Sequence, residues 1–345
     1  MLRQFLFVAL GVSILTGCST PEKTAQTSPI VEQPLVQKAV SVGDYELQPP
    51  IYAGSVAIVP VTYNKNLPQQ QEGNYITLAE AKKAGLVVIT ELGDETVETL
   101  LVENKSDRPL LLIGGDLLLG GKQDRIVAHD VIVPPGKTMK VDVYCVENGR
   151  WDGKSEHFEY KETVVPERVR QAAAHKGQQE VWAEVDGYNE ASGFGSGSLT
   201  VAAGMESENV KKTLSDHLPK VVDALKDKKN VVGFVYVLNG KIQAADLFGS
   251  PGILSAARNS VLKGYLADGA NEIADSKATA DLGDCRRFLE EILKDRKQRS
   301  ESVKNTGRSA TFETRFARGV ELNIAESKSA GESPALVHGN YSIRR

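Results

Sequence analysis

The sequence has 345 residues, of which 41% are hydrophobic and 25% carry a charge, a composition typical of a globular protein with a substantial core. The 41 basic and 45 acidic side chains give a net charge of −4, and no basic block stands out, so we expect no nucleic acid among its partners. The aromatic content of 6% leaves few side chains for stacking on bases or sugars.

The first 17 residues are predicted to be a targeting segment rather than part of the fold. Arg3 precedes an apolar run from Phe5 to Leu15, which is too short to span a bilayer, and Leu-Thr-Gly then leads into Cys18. This segment resembles the signal of bacterial lipoproteins, in which the cysteine becomes the acylated first residue. The resemblance implies a lipid bilayer as partner through Cys18, and Ser19 implies the periplasmic face of the outer membrane in a Gram-negative cell. A simple cleaved signal with an incidental cysteine is the alternative.

Composition divides the remaining chain into a tether and two structured regions. Residues 18–44 are rich in Thr, Ser, Gln and Pro, which is typical of a disordered tether. Residues 45–160 are predicted to be β-rich, and residues 161–345 mix helical and strand patterns and could continue the same domain. Strands and helices without regular βαβ alternation predict an α+β fold, with an antiparallel sheet or sandwich in the N-terminal half and a mixed hairpin-and-helix C-terminal half.

The first structured region begins with a buried strand predicted at residues 55–63, and Pro60 is expected to place part of this strand at a sheet edge. Thr77 and Glu80 have the spacing of a capping box at the start of a short helix, which Gly85 ends. Runs of Val, Ile and Leu between turn residues predict further strands at residues 86–91, 97–104, 108–113, 125–133 and 140–146.

The second region alternates between helices and strands. Asn239-Gly240 gives the strongest hairpin signal, because this pair favours a type I′ turn between strands at 231–238 and 241–248. An amphipathic helix at residues 208–225 is expected to bend or break at Pro219. Further helices are predicted at residues 166–185, 253–266 and 284–297, a Gly/Ser-rich loop at 188–200, and edge strands at 308–324 and 335–343.

Established catalytic motifs are absent from the sequence, including dinucleotide and phosphate loops, the nucleophile elbow and the H-E-x-x-H zinc motif. The Gly-rich stretch at 193–198 lacks the following lysine of a phosphate loop, which favours a flexible loop. The five histidines have no metal-ligand spacing, so we expect no metal and no other cofactor. A zinc site assembled from distant residues is the alternative.

Cys145 and Cys285 are the two cysteines besides Cys18 and are candidate reactive groups. Residues 139–145 alternate between apolar and polar side chains, which places Cys145 on the apolar face of a strand and predicts a core thiol. A nucleophile assisted by Glu147 and His157 is the alternative. Cys285 falls on the apolar stripe of a helix, and a disulfide between the two is left open.

Two short motifs carry the most specific signal in the sequence. The stretch LLIGGDLLLGGKQDR, residues 111–125, ends in G-G-x-Q-x-R with Gln123 and Arg125, and C-x-E-x-G-R-W follows with Glu147, Arg150 and Trp151. Together they resemble the ARG-and-rhodanese-phosphatase-superfamily-associated protein domain, over roughly residues 45–270. The resemblance implies a nucleotide or phosphate context but no defined reaction.

These motif residues suit a ligand site, since Arg125 and Arg150 could grip a carboxylate or phosphate and Trp151 could form an apolar wall. They could equally serve the fold, through glycine turns and an ion pair of an arginine with Glu147. We predict a non-enzymatic envelope lipoprotein that binds a small molecule or an envelope protein. The alternative is a hydrolase of a nucleotide-, ribose- or phosphate-bearing compound, with Glu147 as general base.

Overall fold

The computed structural model describes residues 37–65, 75–93, 97–149, 155–195, 199–275, 279–294, 300–304, 307–324 and 335–344. Cys18, the predicted signal and most of the predicted tether lie outside these residues, and so do Arg150 and Trp151. Gln37–Arg345 form one compact unit, and the predicted boundary at residue 160 stays a prediction. The unit is an α+β fold built mainly from antiparallel sheets, as predicted.

The strands of the described chain are mostly short in the N-terminal half, where three of them, Val56–Tyr63, Thr138–Cys145 and Phe158–Val164, are about as long as the C-terminal strands. They are β1 (Val40–Val42), β2 (Tyr45–Leu47), β3 (Ile51–Ala53), β4 (Val56–Tyr63), β5 (Ile76–Thr77), β6 (Val87–Glu91), β7 (Thr99–Asn104), β8 (Leu110–Leu112), β9 (Asp116–Gly120), β10 (Arg125–Val127), β11 (Val131–Val133), β12 (Thr138–Cys145), β13 (Phe158–Val164), β14 (Val231–Leu238), β15 (Lys241–Phe248), β16 (Ser300–Lys304), β17 (Gly307–Glu313), β18 (Ala317–Ile324) and β19 (Leu336–Ile343).

Helices connect and cover these strands. They are α1 (Leu78–Lys83), α2 (Glu167–His175), α3 (Gln178–Ala191), α4 (Val201–Met205), α5 (Glu208–Lys226), α6 (Pro251–Gly269) and α7 (Leu282–Lys294). Among the described residues, no helix combines the length and the apolar character needed to cross a membrane.

The largest sheet runs in the order β1-β2-β4-β14-β15-β19-β18-β17-β16, with β3 also paired to β4. The predicted edge position of Pro60 is wrong, because β4 lies between β14 on one side and β2 and β3 on the other. Pro60 is tolerated because its partner changes here from β2 to β3, so the ladder requires no N–H at this point. Its carbonyl accepts a hydrogen bond from the backbone N–H of Gln48 at 2.8 Å.

Helices cover both faces of this sheet. Buried side chains of α5 and α6 pack on one face, where Phe234 and Tyr236 of β14 point. Helix α7 packs its apolar stripe on the opposite face, where Val235 and Val237 point. This alternation along β14 explains why the strand is a continuous apolar run, since both of its faces are buried.

The described residues also form a six-stranded sheet in the order β13-β9-β10-β12-β7-β6 and a three-stranded sheet in the order β11-β8-β5. Side chains such as Ile89, Leu118 and Val141 fill the core on one side of the six-stranded sheet. On its other side, Leu117 and Ile126 pack against α2, α3 and α4. Within the stretch 111–125, β9 pairs antiparallel with the start of β10. This pairing is the hairpin that the glycine pattern of the stretch predicts.

Several local predictions are confirmed by the observed elements. Thr77 caps α1, with the reciprocal bond from Glu80, and the hairpin around Asn239-Gly240 has the predicted strand bounds. Asn239 and Gly240 both have positive φ, at 45° and 76°.

Other predictions are corrected by long-range packing. The predicted helix at 166–185 is two helices separated at Gly177, and the predicted strand at 125–133 is split into β10 and β11. Helix α5 continues through Pro219 rather than breaking. The strand predicted at 335–343 is observed as β19, but its predicted edge position is wrong, because β19 lies between β15 and β18 inside the largest sheet.

Candidate functional site

His338 lies within a charged network in the protein interior. Its Nδ1 is 2.6 Å from Asp130 Oδ2 and its Nε2 is 2.7 Å from Asp246 Oδ1, and the His338 side chain is fully buried. Burial lowers its pKa, but the two carboxylates outweigh that effect and raise the pKa of His338 to about 9. The imidazole is therefore a buried cation at neutral pH, stacked on the ring of Phe248 at 4.3 Å.

Arg170 of α2 supplies the second cation of this network. Its Nη1 and Nη2 donate to the two carboxylate oxygens of Asp246 at 3.1 and 3.0 Å, and Nη1 also donates to Glu167 at 3.2 Å. Tyr265 of α6 donates its hydroxyl to Asp246 as well. Burial would raise the pKa of Asp246, but Arg170 and His338 hold that pKa well below its usual range. Asp246 thus links the two cations by charge-assisted hydrogen bonds.

The glycine pair at the start of β9 explains how these charges meet. The Gly114 N–H donates to Asp130 Oδ1 at 2.7 Å, and the Gly114 carbonyl accepts from Arg170 Nε at 3.0 Å. Gly115 has a φ of +92°, and a Cβ atom there would lie 2.6 Å from Arg170 Cγ. Only glycine gives the Arg170 side chain room to pass.

Neutral side chains extend the network towards the surface. Gln171 Nε2 donates to Glu167 Oε1 at 2.5 Å and to Asn340 Oδ1 at 2.7 Å, and Ser342 donates to Gln171 Oε1. Burial raises the pKa of Glu167 to about 7, against the opposing effect of Arg170. Glu167 is therefore partly protonated near neutral pH and can act as a donor or an acceptor.

A cleft of about 660 Å³ opens above this end of the network. Its floor consists of buried polar side chains, namely those of Glu167, Gln171, Asp268 and Ser342. Asp268 accepts from Arg168 Nε at 2.9 Å and from the Tyr236 hydroxyl at 3.2 Å. The floor is thus rich in hydrogen-bond acceptors that are held in place by other protein groups.

The rim of the cleft carries charges of both signs. Its cations come from α2, β15 and β18, and they are Arg168, Lys176, Lys241 and Arg318. Its carboxylates come from α3 and from the segment that follows α6, and they are Glu184, Glu272 and Asp275. An acceptor-rich floor suits hydroxyl or ammonium groups of a ligand, and the rim cations suit an anionic group.

The structure places three of the sequence-predicted site residues together, but inside the protein. Gln123, Arg125 and Glu147 have exposed fractions of 1%, 0% and 6%. Glu147 Oε2 accepts from the Asp124 N–H at 3.2 Å, and Gln123 Oε1 accepts from Arg125 Nη1 at 3.4 Å. None of them lines the cleft, so their role as ligand-binding residues stays a prediction.

The two cysteines are free thiols in the fold. Cys145 lies on the buried face of β12, and burial raises its pKa although the charge of Arg125 opposes this. Cys285 lies on the apolar stripe of α7, and burial raises its pKa to about 12. Neither thiol is activated as a nucleophile at neutral pH. Within the described part of the chain, no group of three or more His, Cys, Asp or Glu side chains could hold a metal ion.

Sequence reasoning missed the network around His338. One signal for it was present, because Asp246 is the only charged residue within the buried run Ala244–Phe248, and buried aspartates occur almost always with a partner. The partners themselves come from distant parts of the chain, and nothing in the local sequence identifies them.

Comparison with known proteins gives one match. The model of the ARG and Rhodanese-Phosphatase-superfamily-associated Protein domain matches residues 44–341. Neither a search of curated proteins nor a search of solved structures finds a match. The matched range includes the motif residues and the charged residues of the network around His338, and it ends one residue before Ser342.

Proposed function

Because the chain belongs to the family of the ARG and Rhodanese-Phosphatase-superfamily-associated Protein domain, whose description names associated proteins rather than a reaction, we propose a function from the cleft. The protein is a lipid-anchored envelope protein that binds a small, hydroxyl-rich anion of the ribose phosphate type. The observation that carries this proposal is the acceptor-rich floor formed by Glu167, Gln171, Asp268 and Ser342, under a rim that carries four cations and three carboxylates.

The energetic cost of the buried network supports a functional role for the cleft. Three carboxylates and two cations are held almost entirely out of water, in Asp130, Glu167, Arg170, Asp246 and His338. Well-packed apolar residues often stabilise a fold as well as or better than buried ion pairs, and strongly shifted pKa values cluster at functional sites. The network fixes Glu167 and, through it, Gln171 at the floor, which gives a polar ligand a preorganised surface.

Binding is tested by calorimetric titration of the purified full chain with ribose phosphate and with ADP-ribose. Gln171→Leu removes the amide from the floor while keeping a similar side-chain volume, and it should weaken binding by about tenfold or more, as expected for loss of a buried hydrogen-bonding group. Gln179→Leu, on the exposed side of α3, is the matched control and should bind like the wild type. Wild-type protein that binds neither compound would overturn the proposed ligand class.

The anchoring part of the proposal comes from the sequence around Cys18. Two or more acyl chains on one cysteine give stable membrane attachment, and the Thr-, Ser- and Pro-rich segment that follows would separate the folded unit from the bilayer. In cells, Cys18→Ala should move the protein from the membrane fraction to the soluble fraction. Unchanged membrane recovery of the variant after a high-salt wash would argue against acyl anchoring.

A second candidate function is hydrolysis of such a ligand. The specific observation in its favour is the pKa of Glu167, raised to about 7 by burial and, to a smaller extent, by the charges of Asp246 and then Asp268. A protonated carboxyl beside an ionised one is the arrangement used for glycosidic bond cleavage. Turnover of ADP-ribose compounds that is lost in Glu167→Gln while binding persists would favour the hydrolase, and binding without turnover would favour the binding protein.

A further inference from the structure

Gln171 connects the buried carboxylate of Glu167 with a serine in the floor of the cleft. Both hydrogens of its Nε2 are directed inwards, to Glu167 Oε1 at 2.5 Å and to Asn340 Oδ1 at 2.7 Å. Its Oε1 faces the opposite way and accepts from the Ser342 hydroxyl. Glu167, Gln171 and Ser342 all line the cleft, and we call these three side chains the floor relay.

The direction of the hydrogen bonds in the floor relay requires an ionised carboxylate at its inner end. Glu167 Oε1 also accepts from Asn340 Nδ2 at 3.3 Å, and Oε2 accepts from Arg170 Nη1 at 3.2 Å. These neighbours are all donors, which suits an ionised carboxyl group because it only accepts. A protonated Glu167 carries a hydrogen that needs an acceptor, and a buried donor without one is costly. Reversal of the Gln171 amide supplies that acceptor without changing the volume of the side chain.

Glu167 has a pKa raised to about 7 by burial, and its surroundings keep their charge near neutral pH. The other charged and titratable groups around it within the described residues come from α2, α6, β14, β15 and β19, and they are Arg170, Asp268, Tyr265, Tyr236, Asp246 and His338.

Each of these groups is held in one state. Burial raises the pKa values of Tyr236 and Tyr265 well above their usual range, so both stay neutral. Burial lowers the pKa of His338, but its two carboxylate partners raise it to about 9, so the imidazole stays charged. Arg170 and His338 keep Asp246 ionised, and Asp268 pairs with Arg168 at 2.9 Å. We therefore assign to Glu167 the proton that this environment gains or loses between pH 6 and pH 8.

We infer that the floor relay is a proton-linked switch that sets the polarity of the cleft floor. With Glu167 ionised, the hydroxyl hydrogen of Ser342 is directed into the protein, as observed. With Glu167 protonated, its hydroxyl donates to Gln171 Oε1, the reversed amide donates from Nε2 to Ser342 Oγ, and the Ser342 hydrogen is released towards the cleft. The proton comes from solvent and stays on Glu167, and no other covalent bond forms or breaks. The inference rests on the proposed function, because it describes the regulation of the same cleft.

An anionic ligand should bind the protonated state of the floor relay more tightly. Protonation removes one negative charge from the floor, and it replaces an acceptor at Ser342 by a donor that can bond a phosphate oxygen. A ligand that prefers one of two states shifts the equilibrium towards that state. Binding above pH 7 should therefore take up close to one proton per site.

Calorimetric titration of the full chain at pH 6 and pH 8 tests this linkage, with ADP-ribose as the probe because its diphosphate keeps a constant charge between these pH values. Wild-type affinity should be about tenfold lower at pH 8, and buffers of different ionisation enthalpy should report the proton uptake. Glu167→Gln should bind equally at both pH values. Ser342→Ala keeps the charge change but lacks the donor, so its ratio should fall to about threefold.

Asp116→Asn is the matched control for the linkage. Burial also raises the pKa of Asp116 to about 7, but its carboxylate is bonded to the Ile113 N–H and to Tyr160 rather than to the floor relay. This variant should keep the tenfold ratio. An equal ratio in wild type and Ser342→Ala, or no pH dependence in the wild type, would overturn the switch.

A measurement without ligand separates the switch from the proposed ligand class. The side-chain amide protons of Gln171, identified by their absence in Gln171→Leu, should show nuclear Overhauser contacts to Glu167 at pH 8 and to Ser342 at pH 6. Unchanged contacts between the two pH values would overturn the switch. Changed contacts in a protein that does not bind ADP-ribose would support the switch and argue against the ligand class.

Discussion

Asp246 Oδ1 lies 2.7 Å from His338 Nε2, on strands β15 and β19 that neighbour each other in the largest sheet. The two residues are not directly opposite: Asp246 faces Asn340, and His338 faces Phe248. All four side chains therefore share one face of the sheet, which is the face towards Glu167 and Arg170 of α2. This diagonal contact connects the core of the sheet with the floor of the cleft.

Stability should fall between pH 7 and pH 9.5 because of His338. Its pKa is raised from 6.5 to about 9 in the fold, so its contribution is complete below pH 6.5 and is lost as pH rises through 9. The pKa values of Glu167 and Asp116 are raised to about 7 in the fold. Most of the stability that depends on protonation of these two carboxyl groups is therefore already lost at pH 7. We expect the free energy of unfolding in urea to decrease by roughly 2 kcal/mol over this window. His338→Gln should show a clearly smaller decrease, and an equal decrease in both proteins would contradict the assignment.

Asp246→Asn should be among the most destabilising substitutions in the chain. It keeps the shape of the side chain but leaves Arg170 and His338 as buried cations with less counter-charge, which costs about 3 to 5 kcal/mol. Chemical denaturation measures this difference. The control, Asp216→Asn, removes an exposed ion pair with Lys212 on α5 and should leave the denaturation midpoint nearly unchanged. Similar effects of the two substitutions would show that the network adds little to stability.

Gly115→Ala tests the passage of Arg170 through the β9 turn. The new Cβ would meet Arg170 Cγ at 2.6 Å, and the φ of +92° is unfavourable for alanine. Gly85→Ala is the matched control, because its φ is +69° and no atom lies within 4 Å of the added Cβ. We expect a lower urea midpoint for both variants, with an additional loss of about 1 to 3 kcal/mol in Gly115→Ala from the clash. Equal losses would mean that Arg170 moves aside without cost.

Both core thiols should be unreactive in the native protein. Burial raises the pKa values of Cys145 and Cys285, so little thiolate is present at neutral pH. Alkylation with iodoacetamide should be slow in buffer and complete in urea, and mass spectrometry without reductant should find no bridge between the two. A disulfide between them, or fast native labelling of Cys145, would disagree with the fold.

The sequence predicts those parts of the fold that depend on neighbours in the chain. The capping box at Thr77 and the turn at Asn239-Gly240 are determined by side chains within a few residues, and both are observed. The position of Pro60 and the central place of β19 depend on strands that are far away in the chain. Local alternation cannot distinguish a buried strand from an edge strand when partners are unknown.

The candidate site was less accessible to prediction for the same reason. Asp130, Glu167, Asp246 and His338 come from a loop, a helix and two strands that meet only in the folded chain. The motif at 111–125 predicts a site at Gln123 and Arg125, yet its first glycine pair has the clearer structural role, because Gly115 leaves room for the Arg170 side chain.

The central claim is that the cleft above the buried network holds a hydroxyl-rich anion. A crystal structure of the protein soaked with ribose phosphate tests it most directly. The account predicts ligand hydroxyl groups bonded to Glu167, Gln171 or Asp268, with the phosphate near Arg318 or Lys241. An empty cleft at saturating ligand, or the sugar bound at another surface, would contradict it.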